Sequence, residues 1–327
     1  MINVSIPNSV SLNNFENIFK GNSFEFKGDD VSFSFHPKYI AMHPVGIAFL
    51  AAIGDLIKIN GSKISGTLNR EITSIIFLQR MGLFSSLGFE NPLQFNDHEE
   101  SGRFIPLKKI RNSKESKEFM QEIDPILHAN RDSAPVIKHV FGELLRNIIE
   151  HSGAQYGGNV CATYNRKKKK VSIGISDAGM GLRKSLSKSH AIISDQDAII
   201  KALTPGITGT TSRIGGNEQN AGAGLFFTKS IAKSTRNHFI IYSGCGYYKL
   251  RKVKKIKGDN IVLNPDPTLD ENTQIDNAPF FPGTLVGIDV QINDSKVFTQ
   301  LIQDIGKAYS SGVKKSKKDY YRKIQFS

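Results

Sequence analysis

The stretch FGELLRNIIEH at 141–151 constrains this chain more than any other. Glu143, Asn147 and His151 recur every four residues. A helix stacks that period on one face, with about 6 Å between neighbouring Cβ atoms. Leu144, Leu145, Ile148 and Ile149 fall between them as an apolar stripe. The stretch therefore predicts a helix with a buried back and a polar front. Mg²⁺ takes few protein oxygens and completes its shell from phosphate and water. Asn147 can give it an uncharged oxygen, and Glu143, one turn earlier, can accept a proton from an attacking water or hydroxyl. A solvated helix face has the same spacing, so the assignment depends on what else the chain carries.

Two strands follow, at 159–165 and 170–176, joined by a lysine-rich tip. The second runs into Asp177-Ala178-Gly179-Met180-Gly181. A carboxylate at a strand end, followed by glycines, permits close approach of a flat ligand. The Asp177 carboxylate can accept from an exocyclic amino group such as adenine's, a bond worth about 1.5–3 kcal/mol. An ordinary turn uses the same residues. The polar stretch 183–219 has one helical segment, near 195–203, and has the length of a lid. Asn220-Ala221-Gly222-Ala223-Gly224-Leu225 then opens an apolar-periodic helix. Glycines at a helix N-terminus leave free N–H groups for phosphate. Lys229, a turn further on, reads as a solvated lysine. The segment 283–290 alternates as a late strand, and 295–309 as a last amphipathic helix. The basic tail after Gly312 is expected to be mobile.

Residues 1–115 read as a smaller α/β unit. It has a strand at 31–35, a helix over 42–59 starting near Pro44, a strand at 63–68, a second helix over 70–83 and a short strand at 103–105. Its segments HPVGIAFLAAIGDLIKING and FLQRMGLFSSLGF resemble the STAS domains of bacterial regulatory proteins. In the regulatory branch of that family a hydroxyl opens the first helix. Here Met42-His43-Pro44-Val45-Gly46 has none, so a scaffold or docking role is expected rather than a phosphoswitch.

Four motifs thus occur in order: E-x-x-x-N-x-x-x-H, D-x-G-x-G, N-x-G-x-G-L, and G-T on a late strand. Together they resemble the GHKL ATPase superfamily with its Bergerat nucleotide-binding fold. The likeness covers residues 116–292, with the lid at 183–221 and a helix plus basic tail at 293–327. It implies an α/β sandwich with helices on one face of a mixed sheet. It also implies ATP and Mg²⁺ as cofactors, with Asn147 on the metal and Glu143 as general base. Asp177 would bind the adenine amino group, Gly179 and Gly181 would shape the base pocket, and Thr284 would support Asp177. Asn220, Gly222, Gly224 and Leu225 would carry the phosphates, while His151 stands at the pocket edge with no assigned role.

Phe226 follows Leu225 where histidine kinases continue Gly-Leu-Gly, and no phosphoacceptor helix is recognisable. His98-Glu99 has the wrong spacing to Pro106, and His128 lacks an adjacent acid. The reading is therefore an anti-sigma-type Ser/Thr kinase or kinase-like switch acting on a protein partner. The alternative is an ATP-hydrolysing switch whose lid controls a protein or nucleic-acid partner. A homodimer is a further expectation, because relatives often dimerise.

The net charge of +13 concentrates at 166–170, 249–257 and 314–323. Such runs attract nucleic acid, lipid or acidic proteins, although the first two look like hairpin tips or strand edges. No apolar run approaches the roughly 18 residues of a membrane span. Cys161 and Cys245 match no zinc or redox spacing, so a cytoplasmic protein without a membrane partner is expected.

Overall fold

The computed structural model describes residues 1–67, 73–89, 104–123, 134–211, 222–252, 261–291 and 296–325. The N-terminal part contains β1 (Ile2–Ile6), β2 (Ser9–Val10), β3 (Val31–Phe35) and β4 (Ala41–Met42), then α1 (Pro44–Ile59) and β5 (Ile64–Thr67). Two further helices follow, α2 (Thr73–Arg80) and α3 (Leu83–Leu87). β1, β3 and β5 form a parallel sheet in that order, with α1 as the crossover between the last two strands.

The larger part begins with β6 (Phe104–Ile110), α4 (Ser113–Glu122) and α5 (Ala134–Asn147), the last continuing into a wider π turn, Ile148–Ser152. β7 (Gly158–Asn165), β8 (Lys170–Asp177), α6 (Gly181–Leu186), α7 (Asp195–Ala202) and α8 (Gly224–Ser234) come next. They are followed by β9 (Phe239–Gly244), β10 (Gly246–Leu250), β11 (Asn272–Ile275), β12 (Phe281–Gln291) and α9 (Lys296–Gln325). The strands make one seven-stranded sheet in the order β11-β10-β9-β12-β8-β7-β6.

This is a mixed α/β architecture built on a large antiparallel sheet, and it differs from expectation in two respects. Every neighbouring pair in the large sheet is antiparallel, so the sheet is not mixed. The short β7–β8 and β9–β10 turns dictate this, since a tight hairpin reverses the chain. Helices also cover both faces. Along β8, Val171, Ile173 and Ile175 join the core beneath α5 and α8, whereas Gly174 meets the backbone of Pro44 at the start of α1. β12 alternates likewise, with Val286 and Ile288 on the first side and Leu285 and Gly287 on the second. A sheet covered on both faces needs apolar or small residues at every position, and that blurs the period-2 signal.

α1 is buried at every residue from Pro44 to Asp55. One apolar core joins it to β1, β3 and the near face of the large sheet through Phe33, Phe49, Tyr242 and Phe281. Burying side chains of this size is worth about 1.5–3 kcal/mol each. Polar groups fix the seating. His43 caps α1, its Nδ1 accepting from the Val45 N–H at 3.0 Å. Its Nε2 therefore carries the proton and faces Asp289 Oδ1 at 3.1 Å. Lys170 Nζ and the Ser172 hydroxyl donate to the same carboxylate. Asp55, on α1, accepts from Lys109 and, at 2.7 Å, from the Asn159 amide.

Other elements also extend or correct the sequence reading. The short strand placed at 103–105 in the N-terminal unit is β6, the edge strand of the large sheet, paired with β7. The C-terminal helix does not end at 309 with a mobile tail but continues to Gln325. Gly312 suggested an ending. Instead its missing Cβ admits Pro205 and Pro265 against the helix. Lys229 is not solvated: it is buried and donates to Asp270 at 2.6 Å, with Lys233 on the other carboxylate oxygen. Asn220, the lid beyond Thr211, His98-Glu99 and His128 lie outside the described residues.

Candidate functional site

A cavity of about 280 Å³ opens on the α5/α8 face of the large sheet. It lies close to the lower end of the range for small-molecule sites, about 300–1,000 Å³. Glu143, Asn147 and His151 line it from α5 and its π turn, Asp177 from the end of β8, and Thr284 from β12. Gly181 and Leu182 contribute from α6, and Gly222, Gly224 and Leu225 from the start of α8. Residues far apart in sequence therefore share one wall. Gly179 does not line the cavity. It packs against the Ser152 carbonyl, where a Cβ would overlap that oxygen, and so holds the β8–α6 turn onto the π turn.

Asp177 is buried at the cavity wall. Its Oδ1 accepts from the Gly179 N–H at 2.9 Å. Burial pushes its carboxyl up to about 7, and the backbone N–H groups of Gly179 and Thr284 only partly oppose this. An aspartate so placed is uncomfortable as an anion and gains from a donor arriving in the cavity. Thr284 stands opposite Asp177 in the β12–β8 register. The Ser243 hydroxyl ties the surrounding loops together, accepting from Leu182 N–H at 2.9 Å and donating to the Gly283 carbonyl at 2.8 Å.

Asn147 is the last residue of α5, where the helix widens into the π turn, a feature frequent at functional sites. Its amide nitrogen is buried without a hydrogen-bond partner among the described residues. A 180° flip exchanges the two ends of such an amide, so either can meet a ligand. The amide with the neighbouring Glu143 carboxylate makes an oxygen-bearing pair that fits a hard cation shared with phosphates. Glu143 forms an ion pair with Arg146 at 3.0 Å. Its Oε2 lies where a Cβ on Gly224 would stand, so the carboxylate touches the first turn of α8. Gly222 has φ +64° and backs onto the Ile207 carbonyl, and its N–H-bearing turn opens α8 toward the cavity. His151 faces the cavity with burial holding its pKa below the usual imidazole value, the Glu150 charge opposing.

The described half of the lid supplies wall residues that the sequence did not mark: Ser185, Leu186, Ile207, Thr208 and Gly209. His190 Nε2 sits 2.9 Å from the Thr208 carbonyl, and the Ser189 hydroxyl donates to the Gly209 carbonyl at 3.0 Å. These ties close a loop of about 20 residues around α7, and the helical period of α7 carries no local sign of the contacts at its two ends.

No family model matches this chain, and no curated protein matches its sequence. Among the described residues no helix is long and apolar enough to cross a membrane.

Proposed function

We propose that the chain is a Mg-ATP-binding regulatory protein of the GHKL kind. Its large unit would be a Bergerat-type nucleotide domain, its N-terminal unit a STAS-like companion. The observation that carries this reading is the convergence on one cavity of Glu143, Asn147, Asp177, Gly222, Gly224 and Thr284, drawn from four separate segments.

In this reading the Asp177 carboxylate accepts from the adenine amino group, a bond that relieves its unfavourable burial. Gly181 and Thr284 border the base. The opening turn of α8 donates backbone N–H groups to the phosphates, helped by the positive end of the helix dipole. Asn147 would hold Mg²⁺ through its amide oxygen, and the ion would supply neutralisation of phosphate charge. Glu143 would take the proton of a partner's seryl or threonyl hydroxyl onto its carboxylate as that oxygen bonds to the γ-phosphorus, while the bond from γ-phosphorus to the β,γ-bridging oxygen breaks and ADP leaves with its electron pair. Arg146 holds the Glu143 carboxylate in place through its ion pair. The lid residues exclude water from the transfer.

A second reading uses the same residues with water as nucleophile, giving a slow ATPase switch. The hydrogen bonds of His190 and Ser189 to the Thr208–Gly209 wall favour it, because they join cavity and lid into one responsive segment. Incubation with γ-labelled Mg-ATP and host extract separates the two. Label on a protein band, lost in Glu143→Ala, supports the kinase. Label released as phosphate, lost in the same variant, supports the switch. If neither occurs, both readings fail.

A further inference from the structure

The 30 residues of α9 form a rod about 45 Å long at 1.5 Å per residue. Its inward side is settled. Ile305 is fully buried, Leu301 and Ala308 pack on the same core, and Tyr309 lies 6.2 Å and 6.1 Å from the rings of Phe226 and Phe227. Gly312 continues that side onto Pro205 and Pro265. The outward side carries Lys307, Lys314 and Lys318 at i, i+7 and i+11, with Lys315 and Lys317 flanking them, all exposed. Lys307 has Asp304 at 3.4 Å, whereas the other four have no ion-pair partner among the side chains described, which on this helix run from 300 to 318. Because α8 opens at the cavity and Pro205 lies two residues before the cavity-lining Ile207, the lysine-rich half of α9 sits at the cavity end of the domain.

We propose that this outward lysine face binds the phosphate backbone of double-stranded nucleic acid. The proposal does not depend on the nucleotide reading of the cavity. Three physical points select this partner. A row of point charges on a rigid rod suits evenly spaced phosphates and needs no base contact. A protein interface needs an apolar centre and is depleted in lysine, and this face has lysine without the apolar centre. A membrane-surface helix inserts its apolar side, and here that side is already occupied by α8.

The test is fluorescence anisotropy of a labelled 20-bp DNA duplex of arbitrary sequence with the full chain over a range of salt. Five lysines predict a log–log salt slope of about −4.5, at roughly −0.9 per phosphate neutralised. Lys314→Glu with Lys318→Glu lowers affinity at least tenfold and flattens the slope by about 2, by the same rule. The double variant keeps the wild-type unfolding midpoint, since both side chains are exposed. Lys167→Glu with Lys168→Glu, at the exposed β7–β8 tip, is the charge-matched control and changes affinity less than threefold. The proposal is overturned if the duplex does not bind at low salt. It is equally overturned if the tip variant costs as much as the helix variant, which would mean attraction by net charge alone. Capture by phosphatidylserine vesicles or polyglutamate, with no duplex binding, would assign the face to another class of partner and also overturn it.

Discussion

Along β8 successive side chains meet different surroundings. Ser172, Gly174 and Ser176 look toward α1, whereas Val171, Ile173, Ile175 and Asp177 look toward the helices that frame the cavity. Both faces are buried, and each holds a buried aspartate. On the α1 face Asp289 meets His43, Lys170 and Ser172. Burial alone would raise its carboxyl, but His43 and Lys170 hold it below the usual carboxylate range. On the cavity face Asp177 has, among the described residues, only backbone N–H donors, and burial holds it up near 7. Ser176 Oγ and Asn159 Oδ1, buried on the α1 face without a hydrogen-bond partner among the described residues, are neutral. A charge supplied with partners does the work of seating a helix. A charge held by backbone N–H groups alone leaves interaction energy for something that arrives later.

The largest effect should come from the cavity. Glu143→Ala is expected to lower phosphoryl transfer or hydrolysis by about 10²–10⁴-fold, the usual weight of a general base, while nucleotide still binds. Phosphate release beside a binding isotherm checks it, and equal loss of both would make Glu143 a binding residue. Next comes the other face. Asp289→Ala leaves His43 and Lys170 facing an empty site and should cost about 3 kcal/mol of stability in urea unfolding. Asp177→Asn should do the reverse, gaining about 1–3 kcal/mol at pH 8 because it removes a poorly solvated charge, while adenine-nucleotide affinity falls. If both variants destabilise alike, the distinction between the faces collapses.

The pH dependence sharpens the comparison at smaller amplitude. Folded Asp177 titrates near 7, against about 3.9 in the unfolded chain. Between those values the folded state holds the extra proton, so this group makes stability fall as pH rises from 4 to 7. Asp289 contributes stability above about pH 4 that is lost as pH falls below it. Nucleotide that needs the Asp177 anion should bind up to about tenfold more tightly per pH unit from 5 to 6.5, levelling off above 7. Calorimetry across pH measures this, and a flat profile would remove Asp177 from the ligand's contacts.

The cavity was more legible in the sequence than the shared core. Glu143 and Asn147 announce themselves by helical spacing, and Asp177, Gly222 and Gly224 by standing at element ends, all signals confined to a few residues. The seating of α1 leaves no such mark. HPVGIAFLAAI reads as an apolar helix, but nothing local states that Gly174 and Gly287 exist to admit it, or that His43 caps it and meets a carboxylate 246 residues away. The buried Lys229–Asp270 pair hid for the same reason, as a lysine on an amphipathic helix is usually solvated. Gly312 misled because a glycine near a chain end suggests a stop, whereas here it makes room for two prolines.

The most direct measurement is a calorimetric titration of Mg-ATP into the wild-type chain and Asn147→Ala at pH 8, beside urea unfolding of both. The account predicts binding to the wild type and an affinity loss of at least about 10–100-fold in the variant, with the two unfolding midpoints alike. Wild-type affinity in Asn147→Ala, or no binding heat from the wild type, would contradict the assignment of this cavity to Mg-ATP.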